Sequence, residues 1–174
     1  MSKKKVCVVT GSRAEYGLFL PIMKKIQTSD YLELKIVATT MHFAEEFGNT
    51  YKQIEEDGFL INEKIENLLS SDTKSSVAKS TGLAIILLSD AFSRIKPDAV
   101  LLLGDRFETH AAATAAMLMS IPIAHIHGGE ITEGAVDEKI RHSITKMSNL
   151  HFTSTEEYKN RVIQMGECQE SVFS

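Results

Sequence analysis

Two rhythms of apolar and polar residues alternate along the whole chain. Short β-branched or aliphatic runs predict strands at Lys5–Thr10 (KVCVVT), Leu34–Thr39 (LKIVAT), Phe59–Ile65, Asp98–Leu103 (DAVLLL), Ile121–Ile126 and Leu150–Thr153. Between them, apolar residues recur at helical spacing over Leu18–Ile26, Tyr51–Asp57, Ser75–Lys96, Thr109–Ser120, Val136–Met147 and Thr155–Met165. Gly58 and Pro97 are the stop signals after two of these helices, and Thr155 is placed to cap the last one. DAVLLL is almost continuously apolar, the pattern of a strand buried on both faces. Asn67–Ser76 is a predicted surface loop, and Gln169–Ser174 looks like the opening of a further strand.

Strands alternating with helices of this length imply βαβ units and a mostly parallel sheet. No repeat, low-complexity segment or Gly/Pro-rich hinge divides the 174 residues, so one α/β domain is expected. Hydrophobic residues at 43% and charged residues at 24% fit a globular chain with a sizeable core and exclude a disordered or fibrous one. The longest apolar run, Leu83–Leu88, is far too short to cross a membrane, and Met1–Val9 lacks the pattern of a secretory leader. A net charge of −4 argues against nucleic acid or an anionic membrane as the main partner. Cys7 and Cys168 are too few and too far apart for a disulfide framework or a zinc site, so a reducing cytoplasm is expected.

In open α/β sheets, ligands bind beyond the carboxyl ends of the strands, and the polar clusters of this sequence fall there. The first is Gly11-Ser12-Arg13-Ala14-Glu15-Tyr16-Gly17. Backbone N–H groups at the helix start, with Arg13, could hold a phosphate; the alternative is a tight turn with Arg13 in a salt bridge. It has neither the Gly-Lys-Ser/Thr end of a P-loop nor the G-x-G-x-x-G dinucleotide fingerprint. The second is Gly104-Asp105-Arg106-Phe107-Glu108. Asp105 follows an apolar strand, where partial desolvation suits a carboxylate to acid/base work, or it caps the next helix with Arg106 as its ion-pair partner. The third runs from His125-Ile126-His127-Gly128-Gly129-Glu130 to Gly134 and Asp137. His125 and His127, two apart on a strand, are expected on one face, as hydrogen-bonding or acid/base groups or, with Glu130, as metal ligands. Asp137 and Arg141 are four apart on a helix, either a surface pair or a substrate clamp, with His142 facing elsewhere. His42 follows the second strand, placed to reach a ligand or to cap a turn.

Taken together, GSRAEYG (11–17), HFAEEFGNTYKQIEEDGF (42–59), GDRFE (104–108) and HIHGGEITEGAVDEKIRHSITKMSNLHF (125–152) resemble the N-terminal half of the UDP-N-acetylglucosamine 2-epimerases, and more closely their hydrolysing, sialic-acid branch. The resemblance covers essentially the whole chain. It implies a Rossmann-like domain, the first half of a glycosyltransferase-B-type fold, with the second, nucleotide-gripping domain outside these residues. It implies no nicotinamide or metal cofactor, a UDP-sugar substrate, and a homodimer or higher homo-oligomer formed through helices of this half. A 174-residue piece with half a cleft is expected to fold but not turn over.

The implied reaction begins with removal of the sugar C2 proton while the nucleotide diphosphate leaves C1 by anti elimination. Water then adds to the glycal, releasing UDP and N-acetylmannosamine. By position, the resemblance makes Asp105 and Asp137 catalytic acids or bases and Arg13 a diphosphate contact. It puts His42, Arg106, Arg141 and His142 on the substrate side. Many members read His-Ile-Glu-Gly-Gly-Glu where this chain has His127 in place of the first Glu and keeps Glu130. Three accounts follow: His127 is the acid/base group, Glu130 takes the role, or the substrate differs. A 2,4-diacetamido-trideoxyhexose nucleotide on the way to legionaminic-type sugars would fit the last. A non-hydrolysing epimerase, a glycosyltransferase of the same architecture and a non-catalytic nucleotide-sugar sensor are the other readings.

Overall fold

The computed structural model describes residues 2–69, 71, 73–132 and 136–174. Met1, Ser70 and Asp72 of the predicted loop, and Gly134 of the third polar cluster, lie outside the described residues. Seven strands form one sheet in the order β3-β2-β1-β4-β5-β6-β7, every neighbouring pair parallel. The strands are β1 (Lys4–Thr10), β2 (Leu32–Thr39), β3 (Glu63–Ile65), β4 (Ala99–Leu103), β5 (Ile123–Ile126), β6 (Leu150–Phe152) and β7 (Val172–Phe173). The helices are α1 (Arg13–Gln27), α2 (Tyr51–Glu56), α3 (Lys74–Ile95), α4 (Phe107–Leu118), α5 (Val136–Met147) and α6 (Glu156–Gln164). The expected α/β architecture, a Rossmann-like parallel sheet flanked by helices, is what the chain adopts.

Strand alternation splits the core into two layers. Cys7 and Val9 of β1 with Val100 and Leu102 of β4 pack on one side against Leu88 and Phe92 of α3 and the alanines of α4. Val8, Leu101 and Leu103 face the other side, against Tyr16, Phe19 and Met23 of α1 and Ile54 of α2. Adjacent residues on a strand point to opposite faces, so both faces of the central strands are apolar. Among the described residues, no helix is long and apolar enough to cross a membrane.

Two elements differ from their sequence expectation for identifiable reasons. Helix α1 begins at Arg13, five residues before its apolar rhythm, because Ser12 and Glu15 cap a polar first turn. The third strand is only Glu63–Ile65, because Asn62 interrupts it: its side-chain oxygen accepts from Ile36 N at 2.9 Å, while its own N–H donates to Ile36 O at 2.8 Å. The long helix ends as expected, with Lys96 in the left-handed conformation (φ 51°) immediately before Pro97. The chain's last residues do form a short strand, β7, at the sheet edge.

Candidate active site

β1 and β4 are neighbours, but the chain leaves β1 toward β2 and leaves β4 toward β5. A crevice therefore opens at their carboxyl ends, where α/β sheets bind ligands. The β1–α1 turn and the β4–α4 turn meet there. Ser12 caps α1, its hydroxyl accepting from Glu15 N at 3.4 Å, and the Glu15 carboxylate reaches back to accept from Gly11 N at 2.6 Å. This is a capping box with the acid reaching one residue further than usual. From the head of α4, Arg106 Nε donates to Glu108 Oε1 at 2.5 Å and stands 3.8 Å from Glu15 Oε1. Arg106 Nη2 contacts Met41 Sδ at 3.3 Å, and Met41 N donates to Gly11 O at 3.1 Å. Glu108 fills the space beside Gly11, so a Cβ there would lie 2.5 Å from its Oε1. The two carboxylates are buried (8% and 2% exposed), whereas the guanidinium between them is half-buried (34%). Burial, and then the charge of Glu108, push the Glu15 carboxyl up to about 7. Arg13, the first residue of α1, is exposed and makes no ion pair among the described residues.

The second cluster lies along the same edge, at the ends of β4 and β5. Arg141 of α5 reaches up through Nη2 to Asp105 and through Nη1 to Glu130 Oε2 and to His127 O, both at 3.0 Å. Thr132 Oγ1 accepts from Nη2 at 3.3 Å. Glu130 Oε1 takes a hydrogen bond from Ser154 Oγ at 2.9 Å and pairs with His127 Nδ1 at 2.9 Å. Here the exposures are reversed. Arg141 is buried (8%), while Asp105 (21%), Glu130 (23%) and His127 (35%) are half-buried and keep access to solvent. Both clusters set two carboxylates around one guanidinium; in one the cation is the more accessible member and in the other the anions are.

Several expectations change at this level. His125 and His127 do not share a face: β5 ends at Ile126, and His127 sits in the left-handed region (φ 67°). His125 is fully buried, its Nε2 on Gly104 O at 2.8 Å and its Nδ1 near Thr145 Oγ1 at 3.4 Å. That occupation removes it from any metal set with His127 and Glu130. His42 is also sealed, Nε2 on Thr10 Oγ1 at 3.1 Å and Nδ1 on Thr50 Oγ1 at 2.8 Å, so it braces the turn after β2 and presents no ring atom to a ligand. Burial pushes both rings down to about 4. Arg141 pairs with Asp105 and Glu130 in place of the expected i,i+4 partner Asp137, which stands in the first turn of α5 with no ion pair among the described residues. His142 faces Glu138, at 3.7 Å. Gly128 and Gly129 accommodate protein: a Cβ at Gly128 would be 3.2 Å from Thr145 Oγ1, and one at Gly129 would strike the Tyr158 carbonyl of α6.

The family model described as UDP-N-acetylglucosamine 2-epimerase matches residues 24–174. The chain belongs to this epimerase family. It is 49% identical over 174 residues to the Campylobacter jejuni protein named GDP/UDP-N,N'-diacetylbacillosamine 2-epimerase (hydrolyzing), covering all of this chain and 45% of that protein. It is 44% identical over 170 residues to the Legionella pneumophila UDP-N,N'-diacetylbacillosamine 2-epimerase (hydrolyzing), covering 98% of this chain and 45% of the relative. The chain thus spans about half the length of the curated relatives it matches. The Neisseria meningitidis UDP-GlcNAc 2-epimerase, solved bound to UDP-GlcNAc, superposes with a TM-score of 0.83 at 26% identity, over 97% of this chain and 45% of that one.

In this member of the epimerase family, four residues at the crevice were not singled out by sequence reasoning: Glu15, Glu108, Thr132 and Ser154. The Ser-x-x-Glu spacing of residues 12–15 is a readable capping signal that could have found Glu15. Ser154 carries no such signal; it reaches Glu130 only because β6 lies beside β5.

Proposed function

We propose that this chain is the N-terminal half of a hydrolysing nucleotide-sugar 2-epimerase, its second half closing the crevice and gripping the nucleotide. The observation that carries this reading is the opposite orientation of the two clusters. Elimination of a nucleotide diphosphate builds negative charge on the leaving group and removes a proton from C2, two events on opposite sides of one sugar ring. Exposed cations, Arg106 and Arg13 at the head of α1, suit the leaving diphosphate. Exposed carboxylates and an imidazole suit the proton transfers.

Asp105 is the carboxylate for one proton transfer. His127 is the group for the other: with Nδ1 directed to Glu130, its Nε2 is the working atom. Glu130, engaged by Arg141, Ser154 and His127, orients that ring. This supports the account in which His127 replaces the glutamate of many family members. Arg141 holds Asp105 and Glu130 at a fixed separation. Asp137, one turn before Arg141, is a further acid/base group, and His142, on another face of α5 beside Glu138, is a further substrate-side group. His42 supports the site from beneath. A base takes the C2 proton as the C1–O bond to the diphosphate breaks, which leaves a C1=C2 glycal and free nucleoside diphosphate. Water then adds its hydroxyl to C1 while a proton returns to C2 from the opposite face, giving the epimerised free sugar.

For the substrate, the 49% and 44% identities to proteins named for diacetylbacillosamine support a 2,4-diacetamido-trideoxyhexose nucleotide. UDP-N-acetylglucosamine is the second reading, supported by the family description. The chain joined to its native continuation would be incubated with each nucleotide sugar in D2O and followed by proton NMR, with the 174-residue chain as a control expected to be inactive. Free nucleoside diphosphate with deuterium at C2 of the released sugar is the expected result. Epimer still joined to nucleotide would mean the non-hydrolysing reaction; binding without exchange would overturn the enzyme reading. Homodimer formation through α3 and α4, which expose Ile86 and Leu118, belongs to the same proposal, and sedimentation at micromolar concentration checks it.

A further inference from the structure

The cluster beneath the β1–α1 turn contains more acid than the elimination requires. Glu15 and Glu108 are both buried and share one counter-ion, Arg106. Each also has a buried oxygen with no hydrogen-bond partner: Glu15 Oε1 and Glu108 Oε2. Two buried anions against one cation leave a charge uncompensated, and two orphan acceptors leave two oxygens unsatisfied. A single proton removes the excess charge, and it turns one orphan acceptor into a donor, since a protonated carboxyl donates as well as accepts. Two buried carboxylates on one counter-ion that cannot both ionise behave in this way.

We propose that Glu15 and Glu108 hold one proton between them on the acid side of neutrality, and that this pair is a positioning device that keeps the β1–α1 turn electrically neutral beneath a bound diphosphate. The proton rests on Glu15, whose other oxygen keeps the Gly11 amide. Glu108 accepts from Arg106 Nε and packs against Gly11. The charged groups facing the pair are few. Beside it in the β4–α4 turn stand Arg106 and, acting on that guanidinium, Asp105; β1 presents the Gly11 amide. The elevated Glu15 carboxyl, at about 7, agrees with this arrangement. Above that pH the pair carries two negative charges against one positive, and the excess lies under the turn.

The consequence for binding rests on the reading that this turn receives the diphosphate, so the test separates the two. The chain with its native continuation, carrying 13C at the glutamate side-chain carboxyl, would be titrated by NMR from pH 4 to 9. One glutamate signal titrating near neutrality, absent in Glu15→Gln and moved to lower pH in Glu108→Gln, is expected. The second variant keeps a raised Glu15 signal because burial, the larger cause, remains when the Glu108 charge is gone. No glutamate titrating above the ordinary range, in a protein whose circular dichroism is native, would overturn the proposal.

UDP affinity at pH 6 and at pH 9 is the second measurement. The wild type should weaken about tenfold relative to Glu15→Gln over that interval, as an uncompensated charge appears under the turn. Parallel pH profiles in wild type and Glu15→Gln would remove the electrostatic role even if the shared proton is found. If Arg13→Gln and Arg106→Gln bind UDP as the wild type does, it is the diphosphate reading that fails, and the carboxyl titration still decides whether the proton is there.

Discussion

The two guanidinium clusters at the sheet edge use the same three charges in opposite ways. At the carboxyl ends of β1 and β4, Arg106 is the more accessible member and its two glutamates are buried; at the end of β5, Arg141 is buried and its carboxylates are the more accessible members. A buried ion pair is costly to assemble, and whichever partner is buried must be held by the protein, leaving the exposed partner to meet a ligand. The Arg106 cluster is therefore built to offer positive charge, and the Arg141 cluster to offer proton acceptors. Each rests on a neutral buried histidine: His42 on Thr10 below the first, His125 on Gly104 and Thr145 below the second.

Substituting the exposed member of each cluster separates the two roles. Asp105→Asn, nearly the same shape without the charge, should lower kcat about a thousandfold, with nucleotide affinity changed far less, in a C2 exchange assay on the chain with its continuation. Arg106→Gln should do the reverse, raising KM about tenfold with a smaller effect on kcat. Equal losses of kcat in both variants would dissolve the distinction.

The buried members should respond in stability. Arg141→Met removes the hydrogen bonds to Asp105 and Glu130, two carboxylates that water still reaches, and should cost about 1.5–3 kcal/mol in urea unfolding. The buried histidines add a pH dependence. Both have folded values depressed to about 4, so the stability they contribute is present above their ordinary value of about 6.5 and is lost as pH falls from there toward 4. Urea midpoints falling across that window are expected, and a midpoint flat to pH 4 would contradict their neutral burial.

Glu15 has the opposite sign. Its folded value, about 7, lies above the ordinary 4.5, so its burial costs nothing below 4.5 and costs progressively more as pH rises to 7. Glu15→Gln should therefore stabilise the protein by about 1–3 kcal/mol at pH 8 and have little effect at pH 4, so the gain appears only on the alkaline side of the window. The smallest effect is steric. Gly11→Ala should cost about 1–2 kcal/mol through Glu108, and Glu108→Ala in the same chain should recover part of it in a double-mutant cycle.

Much of this architecture was readable in the order of residues. The alternation of β-branched runs with helical spacing determined a parallel α/β sheet, because period 2 and period 3.6 bury different faces and the intervals between strands have room for crossover helices. The turns after Thr10, Leu103 and Ile126 marked the sheet edge where chemistry collects, because strand ends in such a sheet all point one way. Asp105, Arg106, His127, Glu130 and Arg141 were visible as candidates for that reason. Which of them touch was not visible. Spacing paired Arg141 with Asp137, four residues away, yet the fold carries the guanidinium to Asp105, thirty-six residues away, and to Glu130, eleven away. Alternation placed His125 beside His127, but a left-handed backbone at His127 ended the strand and turned one ring into the core and the other outward.

Residue type and local period are properties of the chain itself, and they decided that this protein has a parallel sheet with a polar carboxyl edge. Burial is a property of what packs on top, and it is assigned only when β4 returns beside β1 and α5 folds under β5. The same Arg and Glu residues, equally polar in sequence, became an exposed cation over buried acids in one place and exposed acids over a buried cation in the other. Only the tertiary structure decided that, because the free energy of a charge depends on how much water and which opposite charge the fold leaves beside it.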